Sequence, residues 1–140
     1  TALGKALLAF QPAARREALI GAMRFERHTD STIVDRAGLE KTIDKVRAEA
    51  VAYDEGEYNG VLYCVAAPVI GRDGDAVGAI GVSMVRPIAV GPPQHIAPVA
   101  AEVRAAARAM TAALGGPVLQ HQSREKPPAA RRRVGAARKS

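Results

Sequence analysis

Two β-rich runs, VLYCVAAPVI at 61–70 and AVGAIGVSMV at 76–85, flank the pentapeptide GRDGD. No other feature of the chain constrains its fold as tightly. Val, Ile and aromatic residues favour a pleated surface, and a Gly/Asp-rich break between two such runs has the form of an antiparallel hairpin. Both runs are almost continuously apolar, so both faces are expected to be covered, by helices or by a ligand cavity. Gly78 and Gly81 remove side chains from the second run, a mark of close approach by a ligand or another backbone. Side chains alternate along a strand, which puts Ser83 on the same face as Gly81.

The segments around the hairpin have helical periods. Thr1 can cap a first helix on which Leu3, Leu7 and Phe10 form an apolar face, with Ala2, Ala6 and Ala9 beside them. Pro12 suits the first turn of a second helix that ends near Gly21. The Thr- and Asp-rich stretch from His28 to Ile33 reads as a connection, and Asp35 is placed to cap a third helix carrying Leu39, Ile43, Val46 and Ala50. Tyr53 to Gly60, with Asp54, Glu55 and Glu57, reads as a short strand entering an acidic turn. A last helix is expected after Pro93, with Ile96, Val99, Val103, Met110 and Leu114 on its stripe and an end at Gly115-Gly116.

The formal charge of +6 suggests nucleic acid until it is located. From Thr1 to Gly116 there are 13 basic and 13 acidic residues, whereas Pro117 to Ser140 holds 7 basic residues and only Glu125 as an acid. The net charge therefore belongs to the tail. Residues 117–140 have no apolar period and read as a disordered basic tail, against a folded domain over 1–116. That tail lacks interleaved aromatics to stack bases, so a solvated terminus is favoured over a nonspecific nucleic-acid contact. No apolar run approaches the ~20 residues that span a bilayer, and a single cysteine asks for no oxidising compartment, so a cytoplasmic protein without membrane contact is expected. The chain opens inside a helix without an initiator Met, as a piece of a longer protein would.

Catalytic templates are absent: there is no GxSxG, HExxH, Walker or GxGxxG pattern. His28, His95 and His121 lack the spacing and cysteine company of a zinc site, so neither metal nor cofactor is expected. Cys64 sits mid-strand with no histidine near it in sequence, which favours a small buried hydrophobe over a nucleophile activated by the acidic turn. The acidic turn, taken by composition, reads as a solvated loop rather than an acid/base cluster.

Two blocks carry a resemblance. TALGKALLA at 1–9, and Tyr53-Asp54-Glu55-Gly56-Glu57 followed by Gly60, Cys64-Val65-Ala66-Ala67-Pro68-Val69 and the AIGVS strand, resemble the effector-binding domain of IclR-type transcription regulators. The HTDSTIVD connection between them is similar too, and the match runs in order from Thr1 to about Leu114. The resemblance implies a GAF-like or profilin-like α/β domain, an antiparallel sheet flanked by helices, here lacking its first strands. It also implies a non-enzymatic domain that follows a winged helix-turn-helix and assembles as a homodimer or homotetramer. Its effector would be a small carboxylic or aromatic acid, and DNA would be bound only through the upstream domain. Carried over residue by residue, the effector pocket is Ala2, Leu3, Asp54, Cys64, Gly81 and Ser83. Helix-start N–H groups at Ala2 and Leu3 would seat an anion, Ser83 would add a hydroxyl and Cys64 a weak thiol contact, while Asp54 would orient an effector hydroxyl or a water. Gly81 departs from relatives with a hydroxyl side chain there, which leaves room for a larger or more apolar effector.

Overall fold

A computed structural model describes residues 1–85, 96–117 and 119. The order of elements is α1 (Ala2–Ala9), α2 (Ala13–Gly21), α3 (Arg36–Glu49), β1 (Ala52–Asp54), β2 (Leu62–Ile70), β3 (Ala76–Val85) and α4 (Ile96–Ala113). Two of the helices start where side-chain caps can satisfy orphan N–H groups. Thr1 Oγ1 accepts from the Gly4 amide at 3.2 Å, and Asp35 Oδ1 accepts from the Gly38 amide at 2.7 Å. Pro12 stands just before α2 as its N-cap rather than inside its first turn.

The sheet is antiparallel throughout, in the order β1-β2-β3. Gly74, at φ 85°, turns the hairpin, and the Gly71 amide donates to the Asp75 carbonyl at 2.9 Å to close it. A register shift at Val69/Ile70 lets Val77 stand outside the ladder. The start of β3 is stitched to the end of α1, where the Ala76 amide donates to the Phe10 carbonyl and Gln11 Nε2 donates to the Ala76 carbonyl.

Period-two alternation divides β2 between two cores. Ala66, with Ala52 of β1, faces Ala2, Ala6 and Ala9 of α1, behind which pack Leu39, Ile43 and Val46 of α3. Tyr63, Val65, Ala67 and Val69 face Ala100, Val103 and Ala107 of α4. The layers are therefore α3, α1, sheet and α4. At the far end of β2 the Ile70 amide donates to buried Thr111 Oγ1 at 3.0 Å, which docks α4.

Three expectations change. On α1 the buried positions are Ala2, Lys5, Ala6, Leu8 and Ala9, while Leu3 is 46% exposed and Leu7 and Phe10 are half-buried, so the expected Leu3, Leu7 and Phe10 stripe flanks the core instead of facing it. On α4 the buried positions are Ala100, Val103, Ala107 and Thr111, with Met110 and Leu114 exposed. Both helices lie close to the sheet, and small side chains permit that approach where leucine would hold the backbones apart. Finally, β2 is covered on both faces but β3 is an edge strand with several exposed residues. The Pro93 region, His95 and residues 120–140, where the basic tail is expected, lie outside the described residues.

Candidate functional site

The register places three polar side chains in one row across the sheet. Asp54 of β1 pairs with Cys64 of β2, and Cys64 pairs with Ser83 of β3, so all three project from the same face. Cys64 Sγ and Ser83 Oγ lie 3.2 Å apart in hydrogen-bond contact. The thiol's partner is thus a hydroxyl, not an imidazole. The next row on this face is Ala52, Ala66 and Gly81, whose small side chains leave room for the N-terminal end of α1 above them.

Between that end of α1 and the polar row lies a cavity of about 250 Å³. Ala2, Leu3, Asp54, Cys64, Gly81 and Ser83 all line it, so the structure brings the six sequence-derived positions to one place. Tyr58, Asn59 and Leu62 line it as well and were not anticipated; they belong to the turn and strand start between Asp54 and Cys64. A larger groove of about 700 Å³ runs between α1, α2 and the hairpin turn, past Leu7, Leu19 and Arg72. Its polar lining is Gln11, Arg15, Arg72, Asp73 and Asp75, and none of the polar side chains buried among the described residues, Lys5, Asp54 and Thr111, lines it.

The acidic turn is built, not merely solvated, which overturns the compositional reading. Asp54 is only 3% exposed, and its Oδ1 accepts the Glu57 amide at 2.7 Å. Glu57 in turn pairs with Lys5 Nζ of α1, a lysine as buried as the alanines beside it. Thr32 Oγ1 donates to the Glu57 carbonyl at 2.6 Å and Thr29 Oγ1 to the Gly56 carbonyl at 2.7 Å, so the Thr-rich connection clamps the turn from outside. Lys5 was missed, although its spacing from Ala2 and Ala9, three and four residues, puts it on their face.

Gly81 serves the backbone. A Cβ at this position would stand 2.6 Å from the Val65 carbonyl oxygen and 3.1 Å from Ala66 Cβ. The close approach that its sequence context signals is thus that of the neighbouring strand.

A helix-covered antiparallel sheet with a partly apolar cavity walled by side chains from three strands and a helix start defines an α/β ligand-binding domain. This chain belongs to the family described as bacterial transcriptional regulator IclR C-terminal, whose model matches residues 1–115. It is similar to the HTH-type transcriptional regulator BhcR of Paracoccus denitrificans (strain Pd 1222), 37% identical over 81 residues, covering 58% of this chain and 29% of that protein. It is also similar to the uncharacterized HTH-type transcriptional regulator RhmR of Escherichia coli (strain K12), 36% identical over 80 residues, covering 57% of this chain and 31% of that protein. The chain thus spans under a third of the length of these curated relatives. Among solved structures, the C-terminal domain of the E. coli transcriptional regulator KdgR superposes with a TM-score of 0.73 at 28% identity, over 82% of this chain and 69% of that one. Among the described residues, no helix is long and apolar enough to cross a membrane, and no three His, Cys, Asp or Glu side chains group as metal ligands.

Proposed function

We propose that this chain is the sensing part of an IclR-type regulator and binds a small organic acid, carboxylic or aromatic, without turning it over. The observation that carries this reading is the polar row Asp54, Cys64, Ser83 facing the start of α1 across one cavity. The first N–H groups of a helix have no partner within it and sit at the positive end of its dipole, so the amides of Ala2 and Leu3 suit a carboxylate. Ser83 adds a hydroxyl. Asp54 gives Oδ1 to the Glu57 amide and holds Oδ2 3.8 Å from the Thr1 amino group, so an effector hydroxyl or a water would join as a further donor to Oδ2, while the carboxylate charge disfavours a second carboxylate placed against it. The acid is therefore oriented with its charge toward α1 and any hydroxyl toward β1.

In the longer protein, effector binding acts on a winged helix-turn-helix domain outside this chain, through a homodimer or homotetramer in the cytoplasm. The effector must bind one arrangement of that assembly better than another. Titration calorimetry with glycolate, lactate, pyruvate and benzoate tests the site. We expect binding of at least one acid, weakened about fivefold in Ser83→Ala by loss of a neutral hydrogen bond. Binding that is indifferent to Ser83, or no binding by any of the four, overturns the assignment.

A further inference from the structure

Beside the cavity that holds the polar row lies a second one, of about 200 Å³, and the two share Thr1 and Tyr58 in their walls. The second chamber presents Met23, Phe25, Ile33, Leu39 and the His28 ring. Its polar margin is already committed: Lys5 and Glu57 neutralise each other, and the Thr32 hydroxyl donates to the Glu57 carbonyl. What the chamber offers a ligand is hydrocarbon and aromatic surface.

Tyr58 stands at the divide. The backbone just before it is fixed, because Glu57 is held by Asp54, Lys5 and Thr32. The Tyr58 side chain itself is 62% exposed and leans on His28 with ring centroids 5.0 Å apart. An exposed side chain changes rotamer on the nanosecond scale, so the wall that Tyr58 contributes to both chambers can shift without moving the fold.

We infer that the two chambers are halves of one bipartite site, the polar row taking an acid head and the second chamber taking an apolar chain or ring attached to it. This inference rests on the effector reading above and deepens it. The effector class is then a carboxylic or hydroxycarboxylic acid with an aliphatic or aromatic substituent several carbons long, in preference to the shortest acids. Asp54 and Ser83 read the head, and Met23, Phe25 and Ile33 read the tail.

Calorimetry on the whole 140-residue chain tests this with lactate, 2-hydroxybutyrate, 2-hydroxyhexanoate and 3-phenyllactate as probes. Affinity is expected to rise roughly threefold to fourfold for each methylene buried beyond lactate. Met23→Trp fills the chamber from a position that is 41% exposed. It should erase the gain with length, so that 2-hydroxyhexanoate binds no more tightly than lactate, whereas Ser83→Ala should weaken every acid alike. The chain contains no tryptophan, so Tyr58→Trp supplies a second readout that does not depend on chamber filling. Its emission should shift more with 2-hydroxyhexanoate than with lactate, because Tyr58 borders both chambers. Lactate binding that depends on Ser83 but gains nothing with length overturns the bipartite site and leaves the effector reading standing. Failure of all four acids to bind, or binding indifferent to Ser83, removes both.

Discussion

Lys5 is the residue whose environment is most demanding. Its ammonium is withdrawn from water on the sheet side of α1, and the Glu57 carboxylate meets it there, the two side chains being 6% and 17% exposed. Removing one partner of such a pair strands the other charge, which costs more than the pair contributes. Lys5→Met is therefore expected to lose about 2 kcal/mol, less than for a fully buried pair because Glu57 keeps some water, and Glu57→Gln added to it should recover part of that loss. Urea unfolding of the two single variants and the double variant measures this. Tyr53, packed edge-on against Tyr63, is a second case. Burial raises its phenol pKa above the ordinary value of 10.0, with Arg104 opposing in part. A raised folded-state pKa means that the unfolded chain gives up its proton first, so stability is fully present below about pH 10 and declines as pH rises beyond it. Melting temperature followed from pH 8 to 11 should fall above 10, and the fall should be shallower in Tyr53→Phe.

The elements differ in what local sequence reveals of them. Caps at Thr1 and Asp35, the Gly74 turn and the hairpin register depend on residues within a few positions of one another, and these were legible. The rotation of α1 was not, nor that of α4 beyond Val103, whereas Ile96, Val99 and Val103 do face the core. On both, leucine or methionine marks an apolar stripe, yet a sheet lined with Ala66, Ala67 and Gly81 accepts the alanine faces, a choice set by the partner surface and not by the helix. The site divides the same way. That Cys64 and Ser83 share a face follows from alternation once the turn is placed, and Asp54 joins them through the β1 register. The burial of Lys5 depends on its pairing with Glu57, a contact spanning 52 residues that no local pattern encodes. The orientation of α4 gives a test at this scale. Thr111→Val keeps the shape but orphans the buried Ile70 amide, and should cost about 1–3 kcal/mol; Met110→Gln, at an exposed neighbouring position, should change stability by less than about 0.5 kcal/mol. Equal losses in thermal melts of the two variants would place the methionine stripe against the sheet after all.

At the scale of the whole molecule, the sheet separates the two cores, with β2 buried between them and β3 at its edge among the described residues. That strand, AVGAIGVSMV, contains no charged residue, no proline and no partner on its outer edge among the described residues. Val77, Val82 and Val85 are 65%, 43% and 77% exposed, and Leu3 of α1, which lines the same cavity as Val82, adds to the apolar surface. Soluble proteins usually protect such an edge with charge, a bulge or a covering element, because its free N–H and C=O groups template pairing with another strand. The register shift beside Val77 disrupts only the start of the edge. The isolated chain is therefore expected to associate as its concentration rises, by pairing at the edge with apolar contact on either side. Sedimentation velocity over a hundredfold range of concentration should show the average mass climbing, and a Val82→Lys, Val85→Lys double variant should hold it at the monomer value, because a strand-to-strand contact would then bury two unpaired charges per copy. Lysine at Val85, the more exposed of the two, should by itself achieve most of the effect. A wild-type chain that stays monomeric throughout that range would show that the β3 edge is protected within the molecule.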